Sequence, residues 1–135
     1  MAERKPQDKN VLLVEPQAML RRTVALTARS LGLAHIHEAA SMALARQILR
    51  QRPFDGAIIA IDDDGAAHDL ALLDQVRGGD SASPPQIPIA VMAGNCTGEQ
   101  LTQLKERQVA RVIVKPFRAR VLLEALASLA EQKPN

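Results

Sequence analysis

Apolar positions fall into five short runs separated by helix-like spacing. Val11-Leu-Leu-Val14 is a continuous apolar run closed by Glu15-Pro16, and it reads as a buried strand stopped by a residue that cannot donate to a ladder. Leu20, Val24, Thr27 and Leu31 follow at helical spacing and Gly32 marks the stop. Ala34 to Glu38 predicts a short second strand, and Ser41 to Arg50 a helix with Leu44, Ile48 and Leu49 inward, ended by Pro53. Ala57 to Ile61 is a run too short for a buried helix; it suits a strand buried on both faces. It ends in Asp62-Asp63-Asp64-Gly65. A third helix is predicted from about His68 to Arg77, carrying Leu70, Leu73 and Val76.

The second half repeats the alternation. Gly78 to Gln86 is a loop by composition, and Ile87 to Met92 a fourth strand. Thr97-Gly-Glu-Gln100 has capping-box spacing and opens a fourth helix with Leu101 and Leu104 inward. Arg111 to Val114 is the fifth strand, Lys115-Pro116-Phe117 a turn, and Val121 to Ala130 a helix with Leu122, Leu126 and Leu129 in register. Five β–α units joined by right-handed crossovers give a doubly wound, three-layer α/β sandwich. In such sheets ligands bind beyond the carboxyl ends of the strands, which directs attention to the Asp62–Asp64 loop. The expected division is a tail over 1–10, one domain over 11–131 and a short tail over 132–135.

Composition narrows the classes. The 135 residues are the size of one domain, and with two Phe and no Trp or Tyr the core must be aliphatic. So few aromatics leave no stacking platform for single-stranded nucleic acid. A net charge of +2 demands no polyanionic partner, and DNA is not expected. The lone Cys96 excludes an internal disulfide and a multi-cysteine zinc site. No run approaches the length of a membrane span, and no signal-peptide core opens the chain, so a cytoplasmic protein is expected. No nucleophile–base pair or phosphate-cradling loop marks an enzyme. His35, His37 and His68 read as surface or packing histidines, and Cys96 as a loop thiol with nothing beside it to activate it.

The order of these pieces resembles the response-regulator receiver domain from Val11 to Leu129. The matching pieces are Val-Leu-Leu-Val before Glu15, Arg21-Arg22-Thr-Val in the first helix, Pro53-Phe-Asp-Gly-Ala-Ile-Ile, Ile87-Pro-Ile-Ala-Val-Met, and Val114-Lys-Pro-Phe117. The resemblance implies a flavodoxin-like sheet in the order 2-1-3-4-5, a cis bond before Pro116, and an active corner at the ends of strands one, three and five. Members carry an acidic pair after the first strand, a phosphate-accepting Asp ending the third, a Thr or Ser ending the fourth, an aromatic switch on the fifth, and a Lys before the Pro. The acidic pair helps hold Mg²⁺, which neutralises the transferring phosphoryl group, and the hydroxyl and ammonium read the product.

Carried over residue by residue, most of that set is replaced. Glu15 keeps the first acidic position; Pro16 cannot ligate through a side chain. The acceptor position counts from Asp55 onto Ala60, the hydroxyl position is Ala93, the switch position is Val112, and Lys115 survives. The expectation is a stand-alone pseudo-receiver of two-component or phosphorelay signalling, followed by no output domain. It would act through protein contact with a histidine kinase, another receiver or an output protein, with Lys115 paired to Glu15. Two alternatives accompany it. Asp62 to Asp64 could supply a displaced phosphate acceptor, or Mg²⁺ could be held by Glu15 with Asp62 or Asp63. The second is a sensor of cyclic di-guanylate. From Glu99 to Glu124 six basic residues face three acidic ones, and Arg107, Arg111, Arg118 and Arg120 would recognise phosphates on the face around Val112.

Overall fold

The computed structural model describes residues 9–32, 35–62 and 68–131. The apolar runs become strands β1 (Asn10–Val14), β3 (Gly56–Ala60) and β4 (Ile89–Ala93). The edges are β2 (His35–Ala39) and β5 (Arg111–Val114). All pair in parallel in the order β2-β1-β3-β4-β5. Helices α1 (Ala18–Ser30), α2 (Met42–Gln51), α3 (Ala71–Arg77), α4 (Gly98–Glu106) and α5 (Ala119–Glu131) provide the crossovers. Since successive strand side chains point to opposite faces, each strand feeds two cores. Val11, Leu13, Ile58, Ala60, Met92 and Ile113 pack with Val24, Ala25 and Ala28 of α1 and Leu122, Leu126 and Leu129 of α5. Leu12, Val14, Ile59, Ile61, Val91 and Ala93 pack on the other side with Leu49 of α2, Leu72 and Leu73 of α3 and Leu104 of α4.

The local chemistry explains the boundaries. Ser41 caps α2 by accepting the Leu44 N–H, and Thr97 with Gln100 forms the reciprocal capping box of α4. Gly32, with φ of 82°, turns the chain after α1 at a conformation few other residues adopt. Several inward assignments change. Leu31, Leu44 and Leu101 are exposed, and the buried helix positions beside them are Ala28, Ala45 and Leu104. The buried stripe of α1 runs through Val24, Ala25 and Ala28 and that of α2 through Ala45 and Leu49, so larger residues off those stripes turn outward. Helix α3 starts at Ala71, three residues later than the spacing suggests, and Leu70 holds the N-cap position without a side-chain bond. Strand β4 starts at Ile89, and Ile87 is buried ahead of it. Ala34, which the sequence places in the second strand, lies outside the described residues, as do Asp63, Asp64 and Gly65.

Candidate functional site

The carboxyl ends of β1, β3, β4 and β5 converge on one corner, and the residues there are few. Glu15 follows β1 with its N–H bonded to the Ala39 carbonyl (3.1 Å), which fixes where the side chain leaves the backbone. It is 1 % exposed. Its Oε1 accepts from Lys115 Nζ at 2.6 Å, and its Oε2 accepts the Gln17 N–H at 2.9 Å. Lys115 is placed by β5: its own N–H bonds the Ala93 carbonyl (2.7 Å), and the peptide to Pro116 is cis. Both oxygens of the buried carboxylate are therefore satisfied from within the chain, as a charge in this position requires. Arg21 adds a bond to the Glu15 carbonyl (2.8 Å) and an ion pair to Glu38 (3.4 Å), tying α1 to the same corner.

Beside this pair the last residue of β3 is Ala60, 4 % exposed. With Pro16, Ala40, Ser41, Met42, Ile61, Asp62 and Asp69 it lines a cleft of about 230 Å³. The strand ends at Ala60, so Asp62 does not continue along it toward Lys115. Its Oδ2 instead accepts the N–H of Gly94, just past β4. Asp69 caps the turn into α3 by accepting the Ala71 N–H (3.0 Å). On the far side of the same loop, His68 Nε2 meets the Asn95 carbonyl at 3.0 Å. A carbonyl only accepts, so Nε2 carries the hydrogen.

No family model and no curated protein matches this sequence. Solved structures do match. The chain aligns with the chemotaxis protein CheY4 of Vibrio cholerae at 21 % identity and a TM-score of 0.76, over 90 % of this chain and 98 % of that one. It aligns with the HemR receiver domain of Leptospira biflexa at 16 % identity and 0.81, over 94 % and 98 %. An orphan response regulator of Helicobacter pylori aligns at 19 % and 0.74, over 91 % and 98 %. The fold is that of a receiver domain.

Within the receiver fold, the sheet order and the cis Lys115–Pro116 peptide agree with what the sequence resemblance implies. Two of the candidate Mg²⁺ donors, Glu15 and Asp62, lie just past β1 and β3. Of the three candidate ligands, Glu15 has both oxygens engaged by Lys115 and Gln17, and Asp62 is engaged by Gly94. Asp63 lies outside the described residues. Pro16 and Ala60 offer no side-chain oxygen, and among the described residues no group of three acidic, His or Cys side chains could hold a metal. An ion such as Mg²⁺ wants several oxygens in a near-octahedral shell, which Glu15 and Asp62 by themselves do not supply.

The arginines proposed for nucleotide contact are divided by β5. Arg107 caps the end of α4, bonding Asp74 (2.7 Å) and the Gln103 carbonyl (2.9 Å), and Arg111 opens β5. Arg118 and Arg120 flank the start of α5, beyond the other end of the strand. Strand β5 itself covers three residue steps, roughly 10 Å. Val112 is partly buried against the α2/α3/α4 side.

Spacing alone missed two positions. Ser83, in a loop read only by composition, is 5 % exposed and its Oγ accepts the Phe54 N–H at 2.8 Å. Arg77 donates to the carbonyls of Pro85, Ile87, Arg107 and Gln108 at 2.7–3.1 Å. Burial alone lowers its pKa. Arg77 stands at an ordinary polar helix end beside Asp74 and Gln75, and Ser83 in a polar loop, so neither carried a signal. Among the histidines, His35 and His37 share a face of β2. His37 Nε2 faces Asn10 Oδ1 at 3.3 Å and Nδ1 faces Arg52 at 3.2 Å, which makes it a packing residue.

Proposed function

We propose that this chain is a pseudo-receiver of two-component signalling, a protein-contact module that works without accepting a phosphoryl group. The observation that carries this reading is Ala60 at the end of β3, where a methyl group offers no nucleophile. Lys115, the surviving member of the receiver set, supports it, since Glu15 already neutralises its ammonium. The partner is a protein: a histidine kinase, another receiver or an output protein. It is engaged through the face built by α4, β5 and α5, where Leu101, Val114 and Val121 are exposed beside Arg111, Arg118 and Arg120. The role is one of binding, not of turnover.

Incubation with acetyl phosphate and Mg²⁺, followed by intact-mass measurement, tests the reading. The expected result is no added mass. A gain of one phosphoryl group that disappears in Asp62→Ala would overturn it and install the displaced acceptor. In the alternative reading, a sensor of cyclic di-guanylate, Arg107 and Arg111 at the opening of β5 and Arg118 and Arg120 at the start of α5 would be the contacts. Calorimetric titration at millimolar ligand is expected to give no heat.

A further inference from the structure

We propose that Asp62 is a resident ligand of the β4–α4 loop, a carboxylate that fixes the entrance of α4 in one position with no added group. The inference goes beyond the proposed function, because a chain unable to take phosphate could equally leave this loop loose.

Four observations meet here. Asp62 Oδ2 accepts the N–H of Gly94, linking the exit of β3 to the exit of β4 across 32 residues. A Cβ at position 94 would stand 3.0 Å from that same oxygen, so any larger residue there would push the carboxylate back by a few tenths of an ångström. The strand-end residues on either side, Ala60 and Ala93, have no polar side-chain atom that could do this work instead. His68, from the same β3–α3 segment as Asp62, donates to the carbonyl of the next loop residue, Asn95, at 3.0 Å. Asp62 and His68 thus hold consecutive loop residues, one through its N–H and one through its C=O.

The position of the grip gives it consequence. Only Gly94, Asn95 and Cys96 separate β4 from Thr97, the N-cap of α4, so the start of the helix can move little while Gly94 and Asn95 are held. The other end of α4 is fastened from α3. Arg77 donates to the Arg107 carbonyl (2.8 Å) and the Gln108 carbonyl (3.1 Å), and Arg107 pairs with Asp74. A charged acceptor bonded to a backbone N–H is among the stronger hydrogen bonds available at a loop. Helix α4, which forms one side of the proposed contact face, is therefore presented in a single placement set by side chains of the chain itself.

Glycine-selective ¹⁵N labelling tests this on the full chain, whose seven glycines keep the spectrum readable. In the native protein the Gly94 amide should exchange slowly with solvent. Asp62→Ala should speed its exchange about tenfold or more, as loss of one charge-assisted bond requires, and Asp62→Asn, which keeps an acceptor oxygen, should recover most of the protection. Unchanged Gly94 exchange in a folded Asp62→Ala chain would overturn the proposal. Should that variant fail to fold, Asp62→Ser, whose hydroxyl is too short to span the gap, takes its place with the same deciding outcome. Because the readout is amide exchange, it is independent of whether acetyl phosphate adds mass.

Discussion

Lys115 Nζ lies 2.6 Å from Glu15 Oε1, joining the two ends of the sheet's central corner across one hundred residues of sequence. The carboxylate is almost wholly buried, while a fifth of the lysine side chain remains in solvent. That asymmetry sets the cost of breaking the pair.

Lys115→Met should destabilise the fold by about 3 kcal/mol, the low end for stranding a buried charge, because Lys115 itself is partly solvated. Glu15→Gln should cost less, since its amide can still accept from Gln17 N–H. The double variant should recover part of the loss. Urea unfolding of the four species in a double-mutant cycle measures the coupling, and strict additivity would mean that the pair contributes nothing.

Arg77→Met removes four bonds to backbone carbonyls and should cost about 2–4 kcal/mol. Arg77→Lys should rescue little. An ammonium is a point donor and cannot span acceptors on both the β4 approach and the α4–β5 turn. Thermal unfolding of both variants is the check; a lysine variant as stable as the native chain would contradict the forked geometry.

Ser83→Ala leaves the Phe54 N–H buried without its acceptor at 2.8 Å. The expected loss is about 1–3 kcal/mol, more than a surface serine in a loop of this composition would give. Ser83→Thr, which keeps the hydroxyl, should retain more stability than Ser83→Ala if its extra methyl is accommodated. Denaturant midpoints at constant slope provide the measurement.

Stability should also carry a histidine signature. Desolvation first, then Arg52 and then His35, holds the pKa of His37 below its ordinary 6.5. The unfolded chain therefore binds more protons in the interval between the lowered value and 6.5, so stability falls as pH drops through that interval and is flat in this respect above it. Arg52 facing Nδ1 makes the physical cost plain, because a protonated ring would turn a donor toward another donor. In His37→Gln the acid-side slope should be shallower. Unfolding free energies measured from pH 7.5 down to 5 test it, and equal slopes in both proteins would remove His37 from the account.

Much of this protein is legible in one dimension. The runs Val11–Val14 and Ala57–Ile61, the capping box at Thr97 and Gln100, and the five-fold β–α alternation fix the elements and their parallel pairing, because period and cap chemistry are local properties. The position of Ala60 follows from counting along one strand, and the Glu15–Lys115 pair from charge and the spacing that the receiver resemblance implies. What the tertiary structure alone decided is where polar groups find their partners. Asp62 could have extended toward Lys115 or turned away, and only the placement of β4 beside β3 brings the Gly94 N–H within its reach. Ser83 and Arg77 likewise act on backbone groups far away in sequence, and a backbone N–H or C=O leaves no trace in the letters that surround it. Side-chain periodicity encodes which face is buried, but the satisfaction of buried hydrogen bonds depends on the distances that packing sets.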